Sequence, residues 1–311
     1  MDRIATKKSL GGSRLGSVSV PAEIAINIII GLFALLCILP FIFTIIISFS
    51  SNESIKDIGF SFIPKAFSLE AYGFVFEMGD VVLRSLINSV IVSVVGTVFS
   101  VLICIMYSYA LYRRDFKYRN FFMFFSFFTM LFGGGLAPTY MICKNMLGMN
   151  DNYAALIVPL LVSPFNFIIM RTFFQSSVPE AIIESASIDG SGEYRTLFQI
   201  VVPISLPGIA TISLLNMLGY WNDWFLALLY LKPTSKFIPL QYLLVKIQQQ
   251  VEFLVNNSGR LGAEASKIAL SLPRDSLKMA LVVIIVVPIA FAYPFFQRYI
   301  ISGLTIGAVK G

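Results

Sequence analysis

Val178-Pro179-Glu180-Ala181-Ile182-Ile183-Glu184-Ser185-Ala186-Ser187-Ile188-Asp189-Gly190 is a short polar excursion between two long apolar stretches. It runs on through Ser191-Gly192-Glu193 towards Ile200 and Pro203. Ser177 with Glu180 three residues later fits a capping box, Pro179 suits a first turn where its missing N–H is no loss, and Asp189-Gly190 is a turn signal. The spacing predicts a helix of about two to three turns from near Val178 to Gly190. A second helix is expected from Ser191 or Gly192 into the next apolar stretch, which makes a helix-turn-helix elbow beside a bilayer. Such an elbow leaves Ile182, Ile183 and Ala186 with no lipid around them, so a docking partner is expected to cover them.

The rest of the chain is built for lipid. Of 311 residues, 57% are hydrophobic and 13% charged, and the mean hydropathy is +0.81, whereas about a quarter of the residues of a soluble protein are charged. Runs of about eighteen or more apolar residues give six candidate spans, near 24–50, 85–111, 120–142, 153–170, 199–231 and 279–297. The fold class expected is therefore an all-α integral membrane protein of six transmembrane helices, one domain over 1–311, with a cytoplasmic elbow at 177–199 and a last outside loop at 232–278. The first span is too long for a cleavable signal peptide and no small-x-small site follows it, so it is expected to persist.

Lys and Arg in short loops set the orientation. The N-terminal Arg3, Lys7, Lys8 and Arg14, and the tight loop with Arg113, Arg114, Lys117 and Arg119, belong inside. With six spans the elbow and the C-terminal tail, with Arg298 and Lys310, fall on the same side. The stretch 51–83 offsets Lys56 and Lys65 with five carboxylates, and 232–278 carries seven Lys or Arg but is long enough to cross regardless of charge. A multi-pass protein of a bacterial cytoplasmic membrane, both termini cytoplasmic, is the expectation. The net charge of +6 is accounted for by basic loops against anionic lipid, and no nucleic acid partner is expected. Cys37, Cys104 and Cys143 show no metal-like or redox-like spacing and read as small core residues.

Two features of the sequence narrow the mechanism. No Gly-x-x-x-x-Gly-Lys-Ser/Thr run occurs, so the chain lacks a P-loop. If ATP drives the protein, another subunit binds it. The chain has no histidine and almost no ionisable groups inside its spans, Asp223 being the main exception, which argues against ion-coupled carriage and against an intramembrane acid–base enzyme.

Gly133-Gly134-Gly135 before Pro138-Thr139-Tyr140 should break or kink the third span. That break is either a hinge on a pathway or a place of close helix packing. In the fifth span Ser213, Asn216 and Tyr220 follow one another at steps of three and four, with Asp223 and Trp224 three and four beyond. A polar stripe facing lipid is costly, so Asn216, Tyr220, Asp223 and Trp224 are candidates for a substrate pathway, where aromatic faces beside amides and a carboxylate suit a sugar. An aromatic belt at the interface is the structural alternative for Trp221 and Trp224.

The elbow resembles the EAA loop of ABC importer permeases, whose signature is Glu-Ala-Ala, three residues, Gly, nine residues, Ile-x-Leu-Pro. Here it reads Glu184-Ser185-Ala186, Gly190, then Ile200, Val202 and Pro203, with spacing intact and Ser185 and Val202 as the departures. Asn88-Ser89, Tyr107 and Ala110, Pro138-Thr139-Tyr140, Ile169-Met170-Arg171-Thr172-Phe173-Phe174, Trp221-Asn222-Asp223-Trp224, Tyr293-Pro294-Phe295-Phe296-Gln297-Arg298-Tyr299 and the tail from Gly303 to Gly311 extend the likeness. Together they resemble permeases of carbohydrate ABC importers of the maltose-type class, nearest the complex-oligosaccharide branch.

That resemblance implies a six-span subunit paired with a second, homologous permease, a cytoplasmic ATPase dimer that binds ATP and Mg, and an extracellular solute-binding protein that delivers an oligosaccharide. It implies no cofactor on this chain and no enzymatic activity of its own. It makes Glu184, Ala186 and Gly190, with Asp189 beside them, ATPase-coupling positions. A permease for a non-sugar solute is the alternative, and a secondary transporter a weaker one.

Overall fold

A computed structural model describes residues 20–257 and 273–308. The basic residues of the N-terminal tail, the middle of the 232–278 stretch and Val309-Lys310-Gly311 lie outside the described residues. Among the described residues every regular element is helical, apart from a lone antiparallel bridge between Ser50 and Phe67.

The helices in chain order are α1 (Val20–Ser48), α2 (Asn52–Ile58), α3 (Glu70–Glu77), α4 (Gly79–Tyr112), α5 (Arg119–Leu131), α6 (Leu136–Met141), α7 (Tyr153–Ile157), α8 (Pro164–Ser177), α9 (Glu180–Ile188), α10 (Glu193–Thr196), α11 (Val202–Ile204), α12 (Leu206–Asn222), α13 (Phe225–Tyr230), α14 (Leu240–Asn256) and α15 (Arg274–Ala308). Three of them contain straight segments long and apolar enough to cross a bilayer: Pro21–Ser48, Gly79–Tyr112 and Arg274–Tyr299. The others are bent pairs, Arg119–Leu131 with Leu136–Met146 at 110°, Tyr153–Leu160 with Pro164–Ser177 at 51°, and Glu193–Ile204 with Leu206–Asn222 at 85°. Counting each pair as one crossing gives six.

Each bend has a cause in the sequence. The first falls at Phe132–Gly135, where Gly135 takes a φ of +85° that glycine adopts without steric cost. Pro164 enters α8 at its first position behind Ser163, which accepts from the Asn166 N–H. The third falls at Ser205 between Pro203 and Pro207, so the fifth apolar run, expected as one span over 199–231, is an angled segment followed by α12. Two π-helical turns, Ile142–Met146 and Leu197–Val201, adjoin these bends.

The central helix is α4, and its buried face is small and polar: Ser85, Ser89, Ser93, Thr97, Ser100 and Ser108. Small side chains let neighbouring helices come close, and some of their hydroxyls bond to other helices, while those of Ser93 and Thr97 are buried with no partner among the described residues. Ser100 Oγ donates to Leu161 O at 3.0 Å and Ser108 Oγ to Phe167 O at 3.1 Å. Asn88 Nδ2 donates to Lys236 O and Ile238 O, at 2.8 and 3.1 Å, while Tyr153 Oη donates to Asn88 Oδ1 at 2.7 Å. These bonds bind the segment leading into α14 to α4. Hence part of the stretch 232–278, Leu240–Asn256, is a packed helix whose Leu240, Leu243, Leu244 and Ile247 join the core, not an open loop.

Two larger apolar clusters divide the molecule, with a third, smaller one around Cys143, Met149, Ala155 and Tyr230. One gathers α3, α12, α14 and α15 at the end away from the elbow, and the other gathers Cys104, Phe167, Met170, Phe174, Ile183 and Leu197 at the elbow end. By contrast α1 packs along α15 and leaves apolar side chains exposed along its length, as a lipid-facing or partner-facing helix would. Cys37 therefore lies exposed on α1 rather than in a core, while Cys104 and Cys143 are buried as expected.

Candidate functional site

The elbow begins after a link of only two extended residues, Val178 and Pro179. The expected capping box is not there: Ser177 is the last residue of α8, and Pro179 is the N-cap of α9 with no side-chain cap bond. The preceding helix simply runs on through Ser177, which leaves its hydroxyl on the wrong side of the break. Glu180 Oε2 pairs instead with Arg114 Nη1 at 3.0 Å.

The turn at the far end of α9 closes as the Asp189-Gly190 signal predicts. Gly190 has φ +76°, its N–H donates to Ser187 O at 3.1 Å, and the Ser191 N–H donates to Ala186 O at 2.9 Å. That pair of bonds is a Schellman motif, with Gly190 in the left-handed position that a side chain disfavours by about 1–2 kcal/mol. α10 then starts at Glu193 behind Gly192.

Ile183 and Ala186 were expected to need an outside partner, but they are 1% and 7% exposed within the chain itself. A helix of nine residues presents two faces, and this one lays its Ile183 face on the cluster of Phe174, Val178 and Leu197. The face left open carries Ile182, Glu184, Ser185 and Asp189, with Ile188 86% exposed and Tyr194 beyond the turn 71% exposed. Of the four coupling positions, Glu184, Asp189 and Gly190 are exposed, and Ala186 holds the elbow to the body.

Glu193, which sequence reasoning did not single out, is the second anchor. Its Oε2 accepts from Tyr109 Oη at 2.7 Å and its Oε1 from Arg113 Nη2 at 2.8 Å, while Arg113 also reaches Asp115 at 2.9 Å. Tyr112 Oη donates to Val178 O at 2.9 Å. The end of α4 thus grips both halves of the elbow, across more than sixty residues of chain, and no local spacing announces it.

The second feature is a cleft of about 660 Å³ between α8 and α12, lined among others by Ser163, Phe165, Asn166, Asn216, Tyr220 and Asp223. Three of the four expected pathway residues meet there. Trp224 does not line it and packs edge-on against Phe225 at 5.9 Å. Asn166 Nδ2 donates to Asn216 Oδ1 at 2.9 Å, and Asn216 Nδ2, though buried, has no partner among the described residues. Tyr220 Oη donates to Ile157 O at 3.1 Å, and its ring lies over Gly96, where an added Cβ would come within 2.6 Å. So Tyr220 walls the cleft while its ring is spent on helix packing, and the exposed aromatic face belongs to Phe165. Asp223 caps α12 and accepts from the Leu226 N–H at 3.2 Å. Phe165 and Asn166 were missed because they come from α8, although an amide in an apolar span is itself a signal.

No protein-family model matches the chain. It is 40% identical over 280 residues, 90% of its own length and 95% of the relative's, to the polygalacturonan/rhamnogalacturonan transport system permease protein YtcP of Bacillus subtilis. To the arabinooligosaccharides transport system permease protein AraQ of Halalkalibacterium halodurans it is 28% identical, over 89% of this chain and 93% of that one. Among solved structures it is similar to a chain in the crystal structure of a bacterial ABC transporter involved in the import of the acidic polysaccharide alginate. There the TM-score is 0.74 at 28% identity, covering 90% of this chain and 96% of that one. The helical bundle of apolar spans, the elbow with its intact spacing and full-length likeness to such proteins lead to one conclusion: the chain belongs to the permease subunits of sugar ABC importers, non-catalytic components of multi-pass membrane transporters.

Proposed function

We propose that this chain forms half of the translocation path for an acidic oligosaccharide, one built of uronic-acid-bearing sugars, and couples it to ATP hydrolysis on a separate subunit. The observation that carries the reading is the cleft between α8 and α12. It is lined by the amides of Asn166 and Asn216, the carboxylate of Asp223 and an exposed phenylalanine ring, groups of the kinds that take sugar hydroxyls and sugar C–H faces. The acidic cargo rests on the relatives, of which one is named for polygalacturonan and rhamnogalacturonan and another for alginate. Among the described residues no Lys or Arg lines the cleft, and Asp223 does. Charge recognition of a uronate therefore falls to a second, homologous permease and to an extracellular binding protein, while this subunit reads hydroxyls and ring faces.

On this reading the exposed face of α9, with Glu184 and Asp189, sits in a groove of a cytoplasmic ATPase that holds ATP and Mg, and both termini are cytoplasmic. The lack of a P-loop in the sequence supports a separate ATPase. The test is uptake in a strain lacking this chain and complemented with it, using labelled uronic oligomers, neutral oligosaccharides, a peptide and an osmolyte. ATP-dependent uptake of the uronic oligomers is expected. Uptake of the peptide or osmolyte alone, or uptake that survives ATP depletion and collapses with the ion gradient, overturns the reading. Single cysteines at Lys65 and Asn256 should be labelled from outside and one at Lys117 should not, and external labelling at Lys117 overturns the orientation.

A further inference from the structure

At the root of the elbow lies a pocket of about 270 Å³ walled by three arginines, Arg113, Arg114 and Arg119, together with Gln175, Pro179 and Glu180. Their charges are not equally spoken for. Arg113 is paired with both Glu193 and Asp115, and Arg114 with Glu180. Arg119, half-buried at the first position of α5, has no ion pair among the described residues. A second half-buried cation, Arg171 on α8, donates from Nε to Leu111 O at 3.2 Å and likewise has no ion pair among the described residues. A charge left unpaired in a partly desolvated place is costly, and an anion in the pocket beside Arg119 removes that cost.

The level of the pocket selects the anion. α4 ends at Tyr112 and α5 starts at Arg119, so the pocket lies where two apolar helices leave and re-enter the hydrocarbon. Beside it α5 presents Phe122, one turn on from Arg119 and partly exposed, with the exposed Tyr118 at its foot, while Phe121, Phe124 and Phe125 turn to the opposite face of the helix. A cationic pocket joined to an apolar, aromatic helix face fits a molecule with a negative head and apolar tails. A free anion would use only the first half of that surface.

We propose that this pocket binds the phosphate of an anionic phospholipid, with Arg119 as its principal donor and the acyl chains lying along α5 past Tyr118 and Phe122. The guanidinium supplies paired N–H donors to two phosphate oxygens, a geometry an ammonium does not reproduce. Bound there, the headgroup touches Pro179 and the two-residue link into α9, so lipid occupancy bears on the seat of the elbow.

The test uses the whole importer, purified with its partner subunits. Native mass spectrometry is run with added dioleoyl-phosphatidylglycerol, with dioleoyl-phosphatidylcholine, and with inorganic phosphate as competitor. Wild type should retain phosphatidylglycerol over phosphatidylcholine, Arg119→Gln should lower that retention about tenfold, and Arg119→Lys should keep part of it. Equal phosphatidylglycerol retention by wild type and Arg119→Gln overturns the site. Displacement of the lipid by millimolar inorganic phosphate assigns the pocket to a free anion and overturns the lipid. Loss of the ATPase from Arg119→Gln with lipid retention unchanged makes it a protein contact, which also overturns the proposal.

Discussion

The elbow and the cleft are built by opposite means. The elbow carries most of its shape in thirteen consecutive residues: a short helix, a left-handed glycine and a pair of turn bonds within Ala186–Ser191. The cleft has no local shape at all. Its two amides come from positions 166 and 216, and its wall exists because Gly96, on a third helix, lets the Tyr220 ring sink in. A part that must fit a groove on another protein benefits from a local, self-contained form, whereas a cavity inside a bundle can arise only where several helices meet. The comparison predicts that damage at the cleft spreads into the membrane body and damage at the elbow does not.

The largest effect should come from crowding the cleft's wall. In Gly96→Val the new side chain meets the Tyr220 ring, and overpacking of this kind costs about 1–3 kcal/mol. The purified importer should melt several degrees lower and uptake should fall sharply; a melting temperature equal to wild type would show that α4 and α12 are not tightly joined. Next is Gly190→Val, which forces a β-branched residue to φ +76° at a local cost of about 1–2 kcal/mol. Uptake and co-purification of the ATPase should drop while thermal stability of the membrane body barely changes. Gly190→Asn should be milder, since asparagine tolerates that conformation. A large fall in melting temperature for Gly190→Val would erase the distinction between the two regions.

Smaller effects sharpen the comparison. Glu193→Gln and Arg113→Gln should be non-additive in a double-mutant cycle read as transport per ATP hydrolysed. A coupling of about 0.5–1 kcal/mol is expected, because the Glu193 side chain is partly solvated. Asn166→Ala with Asn216→Ala should show about 0.6 kcal/mol of coupling in stability, the usual worth of an interhelical hydrogen bond in lipid. Each single variant should also raise the KM for uptake. Full additivity in the second cycle would mean that the amides do not act together.

The smallest effect belongs to Asp151, in the loop between α6 and α7. Its carboxyl is held below the usual range, chiefly by the Ser235 hydroxyl and also by the Lys232 N–H and the charges of Lys232 and Lys236. A depressed carboxylate contributes stability above its unfolded pKa, and that contribution is lost as pH falls through the lower folded value. The 231–237 segment should therefore exchange its amide hydrogens slightly faster as pH falls through that value, after correction for intrinsic exchange, and Asp151→Asn should remove this pH dependence. An unchanged profile in the variant would show that the loop does not depend on the charge.

What was legible in the sequence follows from the same contrast. Six apolar runs, the Asp189-Gly190 turn and the break at Gly133–Gly135 are local facts, and the structure carries them, whereas the bend at Ser205, inside the run expected as one span over 199–231, was not read from the prolines that flank it. The capping box at Ser177 failed because a two-residue link and a full helix end are indistinguishable until α8 is seen to run on. Ile183 and Ala186 looked orphaned because the surface that covers Ile183 comes from α8 and the turn at Leu197. Trp224 shared a helical face with Asn216 and Tyr220 on paper, but α12 ends at Asn222, and past that point helical spacing no longer governs where a side chain lies.

By itself the sequence determined that the chain lives in lipid, where it turns, and which short segment protrudes from it, since hydrophobic run length, glycine conformation and motif spacing act within a few residues. Only the tertiary structure decided which face of α9 is open, that Glu193 locks to Tyr109 and Arg113, that Phe165 and Asn166 complete the cleft, and that Arg119 is left without an ion pair among the described residues. Those outcomes depend on helices 50 to 84 residues apart coming into contact, and which helices meet is set by packing of the whole bundle rather than by any local rule.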